Sequence, residues 1–284
     1  MKPHNKTSEE KEKLIIDEYM KGYGCTTISR IFDISPSTVH NILKRNNIKS
    51  RTHREAQSKY EFNENYFENI DTEDKAYWLG FIYADGTLIK QQYANALKID
   101  LSSCDISHLH KLKQCMDSNV NIPTYKSNGG YSNNTEYARF KIVSDKICND
   151  LERHGVYYNK TLILKRPNID YKLIKDFIRG YIDGDGCITS YMRKDSIKRT
   201  YSLKIVGTLD MLDFIKEYIE ENSSIKINKY YYRKKNSKVA SIEVGGNNQV
   251  EKALNLFYKD ANIYLNRKYE LYLKVLENNS PMQQ

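Results

Sequence analysis

No Cys-x-x-Cys pair occurs in this chain, and its five cysteines, Cys25, Cys104, Cys115, Cys148 and Cys187, are scattered. That distribution excludes a zinc ribbon and a disulfide framework and fits a reducing compartment. No apolar run approaches the ~18 residues that a membrane span needs. The opening, Met1-Lys2-Pro3-His4-Asn5-Lys6, holds no apolar signal segment, so a cytoplasmic or organellar location with no membrane partner is expected. A nucleophile-headed splicing block and a His-Asn junction are also missing, so an intein is not expected. Acids are in deficit: 45 Lys+Arg face 36 Asp+Glu, a net charge of +9 on 284 residues. A basic chain suits a polyanionic partner, although the same excess can serve solubility alone.

One short pattern is present twice. Residues 78–86 read Trp78-Leu79-Gly80-Phe81-Ile82-Tyr83-Ala84-Asp85-Gly86, and residues 178–186 read Ile178-Arg179-Gly180-Tyr181-Ile182-Asp183-Gly184-Asp185-Gly186. The two Asp-Gly pairs lie 100 positions apart (185 − 85). Each copy reads as an apolar helix with small residues four apart, Gly80 with Ala84 and Gly180 with Gly184. Glycine inside a helix costs about 1 kcal/mol relative to alanine. Carrying it at matched places implies that the two helices pack closely through these small residues. Gly86 and Gly186 are then expected in left-handed helix-ending turns.

Asp85 and Asp185 stand where a helix normally prefers a cation. Side by side, two carboxylates and two negative helix ends need a counter-charge, and a hard divalent cation with oxygen ligands supplies it. Such a pair is suited to hydrolysing a phosphodiester. Taken singly, an Asp-Gly pair is an ordinary turn; the matched duplication favours the site.

These nonapeptides resemble the LAGLIDADG homing endonucleases in their single-chain, two-motif form. The motif carries over as Gly80, Ile82, Ala84, Asp85 and Gly86, then Gly180, Ile182, Asp183, Asp185 and Gly186; Tyr83 replaces the first acid of copy one. The resemblance spans about residues 65–275. It implies an α+β fold of tandem αββαββα repeats whose strands form a DNA-binding saddle. It also implies metal ligation at Asp85, Asp185, Gly86 and Gly186, with Mg²⁺ as about two or three ions. A lysine near the metals at the end of the fourth strand maps to Lys141, which joins Asp85 and Asp185 as a catalytic candidate. Its counterpart in the second copy is Glu243, which puts the symmetry of the two halves in question.

The first fifty residues read as a small all-α helix-turn-helix domain. Ser8 caps helix one, followed by acids in its first turn and by Leu14, Ile15 and Tyr19. Helix two, about Thr26–Phe32, buries Ile28, Ile31 and Phe32. Asp33-Ile34 is a tight turn, after which Ser35 caps helix three and Pro36 takes its first position. Val39, Ile42 and Leu43 face inward, while Ser37, Thr38, Asn41, Lys44 and Arg45 face outward as DNA contacts. The segment resembles resolvase-type and sigma-factor-type helix-turn-helix sequences. Residues 1–60 hold 12 Lys+Arg and 7 Asp+Glu, a net of +5. A helical bundle for protein contacts is the plainer alternative.

The organisation expected is residues 1–50, a basic linker over 51–66, repeat one over 67–165 and repeat two over 166–284. Leu97, Ile99 and Leu101 alternate with Lys98, Asp100 and Ser102, and Leu203 and Ile205 alternate with Lys204 and Val206, so each strand has one buried and one presented face. Presented Lys98, Arg139, Lys141, Arg193, Lys204 and Arg233 are the contact candidates for bases and phosphates. Two echoing tails, Tyr157-Tyr158-Asn159-Lys160 and Tyr264-Leu265-Asn266-Arg267-Lys268, support the duplication.

The expectation is a monomeric, Mg²⁺-dependent, site-specific DNA endonuclease. Its partner is double-stranded DNA with a long pseudo-palindromic site, and its products carry a 3′-hydroxyl and a 5′-phosphate. A non-cleaving transcription regulator on the same scaffold and an intron RNA maturase remain the alternatives.

Overall fold

The computed structural model describes residues 8–20, 23–50, 60–92, 94–126, 135–192, 194, 198–234 and 237–280. The chain divides into two compact units, residues 1–61 and 62–284.

The first unit holds three helices, α1 (Glu9–Met20), α2 (Cys25–Phe32) and α3 (Pro36–Arg45). Each start has a chemical cause where a cap is present. Ser8 accepts the Lys11 amide at 3.3 Å, and Ser35 accepts the Thr38 amide at 3.0 Å with Pro36 next in line. Asp33 turns left-handed at φ 49° and ends α2, a conformation that Asp tolerates better than most residues. Ile15, Tyr19, Ile28, Val39, Ile42 and Leu43 form the core. Ile31 corrects the sequence reading, because it is more than half exposed, as is Leu14. Leu14 is turned about 100° from Ile15, and Phe32, rather than Ile31, packs against the core beside Ile28.

The second unit begins at Phe62, inside the segment expected as linker. Residues 62–66 belong to the packed body, where Tyr66 and Phe67 are buried. The order α4 (Glu73–Asp85), β1 (Gly86–Ile89), β2 (Ala96–Ser102), α5 (Ile106–Cys115), β3 (Thr124–Lys126), β4 (Glu136–Val143), α6 (Asp145–Arg153) is αββαββα. It repeats as α7 (Ile174–Asp185), β5 (Gly186–Met192), β6 (Arg199–Thr208), α8 (Leu209–Asn222), β7 (Tyr231–Tyr232), β8 (Val239–Gly245), α9 (Asn247–Tyr258), and α10 (Asn266–Asn279) follows. Among the described residues no helix is long and apolar enough to cross a membrane.

Two antiparallel four-stranded sheets result, ordered β1-β2-β4-β3 and β5-β6-β8-β7. The period-two pattern sets their faces. Leu97, Ile99, Ala138, Phe140 and Ile142 are buried on one side of the first sheet, and Leu203, Ile205, Ala240, Ile242 and Val244 on that of the second. Register fixes the presented rows: Lys98 lies opposite Lys141, and Lys204 opposite Glu243. Strand β7 is only Tyr231–Tyr232, so Arg233 lies past its end rather than on the ribbon.

Candidate active site

Helices α4 and α7 make the largest contact between elements in the molecule, and glycine is the reason they can. A Cβ on Gly80 would stand 1.9 Å from the Phe177 carbonyl oxygen, and one on Gly180 would stand 1.9 Å from the Tyr77 carbonyl oxygen. The reciprocity marks a local two-fold relation between the helices. At Gly184 a Cβ would fall 2.2 Å from that of Ala84 and 3.3 Å from an oxygen of Asp85. Backbone therefore meets backbone along the seam, and the two helix ends are delivered together. Gly86 and Gly186 depart from the expected left-handed turn. They are extended, at φ −72° and −82°, and open β1 and β5 directly. Glycine is needed there for space: a Cβ would lie 2.7 Å and 2.5 Å from the carbonyl oxygens of Ile82 and Ile182.

Asp85 and Asp185 thus end paired helices at the roots of the two sheets. Asp85 is half-buried, and Asp185 is exposed. Burial raises the Asp85 carboxyl above its usual range, against the pull of Lys268 and Lys160. Burial and then the charge of Asp85 push Asp185 up to about 6, again opposed by Lys160 and Lys268. The exposure of Asp185 limits how far burial alone acts, so the neighbouring acid matters.

The cations at the acids are not the one expected. Lys141 sits on β4, in a row with Lys98 and Thr87, two strands from β1. Lys160 and Lys268 lie at the helix ends instead. Lys160 Nζ donates to the carbonyls of Ala84, at 3.1 Å, and Gly86. Lys268 Nζ donates to Ile182 at 2.6 Å, Asp183 at 2.7 Å, Gly184 at 3.4 Å and Gly186 at 2.6 Å. Those of Ala84, Ile182, Asp183 and Gly184 belong to the last turns of the two helices, and each lysine answers the negative end of one dipole. Burial lowers both ammonium groups, Lys268 to about 8 with the charge of Asp183 resisting, and Lys160 with Asp185 and Asp85 resisting. The Gly86 and Gly186 carbonyls each accept from one of these ammonium groups. Sequence contained a faint signal for both lysines in the echoing tails around Asn159 and Asn266.

A buried network fixes the second motif. Asp183 is fully buried and accepts from the hydroxyls of Tyr77 and Tyr258 at 2.6 Å each, and from the Leu265 amide at 2.7 Å. Tyr77 Oη thereby spends its proton on Asp183, so His108 Nε2–H must donate to it at 2.9 Å. Burial holds His108 down at about 3, so it stays neutral. Arg179 is buried as well, donating to Asp176 at 2.7 Å and the Ile263 carbonyl at 2.8 Å. The first acid of motif two is therefore structural, and Tyr83 at the matching place donates to the His154 carbonyl.

Of the presented basic residues, Lys98 and Arg139 share Asp100, Lys98 at 3.2 Å and Arg139 at 2.7 Å. Lys204 and Arg233 line a hollow with Tyr231, Tyr232 and Val206. Arg193 lies outside the described residues. In the first unit Ser37, Asn41 and Lys44 are exposed and Thr38 partly so. Arg45 is drawn into an ion pair with Glu12, whose two carboxylate oxygens accept from its Nε and Nη2.

Two αββαββα repeats on a glycine-packed helix pair, each helix ending in a carboxylate, define the fold of the LAGLIDADG homing endonucleases, and this chain has that fold. I-SmaMI, a meganuclease described as bound to uncleavable DNA, is similar over 71% of this chain and 88% of its own at 14% identity, with a TM-score of 0.50. I-GzeII, a LAGLIDADG homing endonuclease in complex with its DNA target, matches at 13% identity and TM-score 0.49, over 71% of this chain and 88% of its own. I-LtrWI, of the same family and bound to target DNA, matches at 16% and 0.47, over 76% and 90%. No family model matches the sequence. No curated protein matches it either.

Proposed function

We propose that this protein is a site-specific DNA endonuclease that hydrolyses one phosphodiester in each strand. The observation that carries the reading is the paired site: Asp85 and Asp185 on adjoining helix ends, each end held by its own buried lysine. A site built twice about a local two-fold matches a substrate whose two strands are themselves related by a two-fold.

The donor set fits a divalent cation. Burial raises both carboxyls and the charge of Asp85 raises Asp185 further, and hard oxygen donors are what Mg²⁺ takes. Among the described residues no group of three or more His, Cys, Asp or Glu side chains converges. The carboxylate pair is then the protein's share, and phosphate and water oxygens complete the shell. A bound divalent ion would supply Lewis acidity at the phosphate and lower the pKa of water, leaving 3′-hydroxyl and 5′-phosphate ends. Asp85 and Asp185 hold that charge in place. Lys160 and Lys268 keep two positive charges beside it and stabilise the charge that accumulates on the phosphate oxygens. The two polar sheet faces bind the duplex around the cut, with Lys98, Arg139, Lys141, Lys204 and Arg233 toward it. The three-helix unit reads as a helix-turn-helix, with α3 presenting Ser37, Thr38, Asn41 and Lys44.

The test is cleavage of a randomised double-stranded DNA library by the full chain, with Mg²⁺ against EDTA. Mg²⁺-dependent cuts at one long sequence support the reading. Selective retention of DNA without cuts replaces it with a regulator. Binding that requires RNA 2′-hydroxyls replaces it with a maturase.

A further inference from the structure

On the presented face of the first sheet, one guanidinium is held from three directions. Asp100 and Arg139 are direct partners across β2 and β4. Arg139 Nε donates to Asp100 Oδ1 at 2.7 Å, and its Nη2 donates to Oδ2 at 2.8 Å. The same cation lies 5.0 Å from the Tyr125 ring centroid and 5.4 Å from that of Tyr137. Those two rings stack on each other, 5.4 Å apart with 24° between their planes. An arginine on a solvated strand normally samples many rotamers. This one has its plane set by two rings and one edge set by a carboxylate, which removes most of that freedom before any ligand arrives.

The geometry leaves a definite recognition edge. Asp100 takes the Nε–H and one Nη2–H. The opposite edge carries an N–H on each of the two Nη atoms, side by side, with Nη2 also making a long 3.5 Å contact to the Tyr137 hydroxyl that a base acceptor would replace. Two parallel donors at that spacing match the O6 and N7 acceptors that guanine shows in the major groove. The side chains of Arg139 and Asp100 remain 28% and 30% exposed, so that edge is reachable from the presented face.

We propose that Arg139, oriented by Asp100, Tyr125 and Tyr137, reads one guanine in the half of the target that the first repeat binds. The proposal rests on the DNA-binding reading above. At the matching register the second repeat carries no equivalent among the described residues. Its register places Val206 opposite Ser241 where the first has Asp100 opposite Arg139. These two residues line a hollow of about 480 Å³. Arg233 at its rim has no carboxylate within ion-pair distance among the described residues. The two halves of the target are therefore expected to differ at this base pair, with guanine demanded in one half only.

The experiment is selection of bound sequences from randomised double-stranded DNA by the full chain, comparing the parent with R139Q and D100N. Thermal melts accompany it to show that each variant folds. The parent should fix guanine at one base pair of one half-site. R139Q should cut the guanine preference there by about 10- to 100-fold relative to other base pairs. D100N keeps the arginine but frees its plane, so the same base pair should lose part of its preference. D100N also carries the test should R139Q fail to fold. Preferences unchanged at every base pair in either folded variant, or a change confined to a base that is not guanine, overturns the proposal while leaving a DNA-reading protein in place. A parent chain that selects no sequence at all overturns the DNA reading and this proposal together.

Discussion

The Nζ of Lys268 lies 2.6 Å from the carbonyl oxygen of Gly186, and the same ammonium holds the carbonyls of Ile182 and Asp183. One side chain therefore serves both as the cap of α7 and as a positive charge that acts on Asp85 and, less strongly than Lys160, on Asp185. Replacing it with methionine, which keeps the length and apolar stem, should separate these effects. K268M is expected to lose about 1–3 kcal/mol of stability, because buried carbonyls are left unpaired. It should also slow cutting of one strand at least tenfold under denaturant-free conditions. Urea unfolding and single-turnover nicking assays read the two quantities. Undiminished cutting of both strands by K268M and K160M would remove these lysines from the chemistry.

Gly80 and Gly180 should not tolerate alanine. The added methyl meets a backbone carbonyl at 1.9 Å, and backbone cannot step aside as a flexible side chain can. Each of G80A and G180A is expected to cost about 3 kcal/mol or more, the upper range for overpacking, whereas A84G should cost about 1 kcal/mol, the helix penalty of glycine. Denaturation midpoints of the three variants test the ordering. A G80A protein as stable as the parent is incompatible with the close approach described.

D85N and D185N should each abolish double-strand cutting while DNA binding persists, because the carboxylates hold charge and the sheets hold DNA. Stability carries a second signature. Burial and the charge of Asp85 raise Asp185 from the usual 3.8 to about 6. A raised folded-state pKa means stability that is full below about pH 4 and is lost as pH climbs through about 6. In EDTA near pH 7, D185N should therefore melt higher than the parent, and its melting temperature should vary less between pH 4 and 6. A lower melting temperature for D185N across that window contradicts the repulsion.

His108 predicts the opposite slope. Its folded-state value sits at about 3 against the usual 6.5 because of burial. Its contribution is full above pH 6.5 and is lost as pH falls toward 3, since only the unfolded chain takes up the proton there. At its steepest this amounts to about 1.4 kcal/mol per pH unit. Urea titrations at pH 4.5, 5.5 and 6.5 should show a shallower acid loss in H108F than in the parent. Parallel curves would mean that His108 is protonated within the fold.

The repeats, the alternating strand faces and the paired carboxylates were all legible in sequence, because each rests on local periodicity or on a motif repeated at a fixed interval, and the αββαββα order followed from the family resemblance. Three features were not. Arg45 looked free until Glu12, 33 positions earlier, was found beside it. Gly86 and Gly186 looked like left-handed caps, since an Asp-Gly pair suggests a turn, but a clash with the preceding helical turn is what selects glycine there. Lys141 was matched to the lysine that the family resemblance implies at the end of the fourth strand, while the register sets it beside Lys98.

By itself the sequence determined the helix pair and its two acids, since helix period, glycine spacing and terminal carboxylates are properties of nine consecutive residues. Tertiary structure decided which cations those acids meet. Lys160 reaches Gly86 across 74 positions and Lys268 reaches Gly186 across 82. Contacts of that separation follow from how the closing segments fold back over the helix ends, where burial makes an unpaired carbonyl costly and the dipole favours a positive charge.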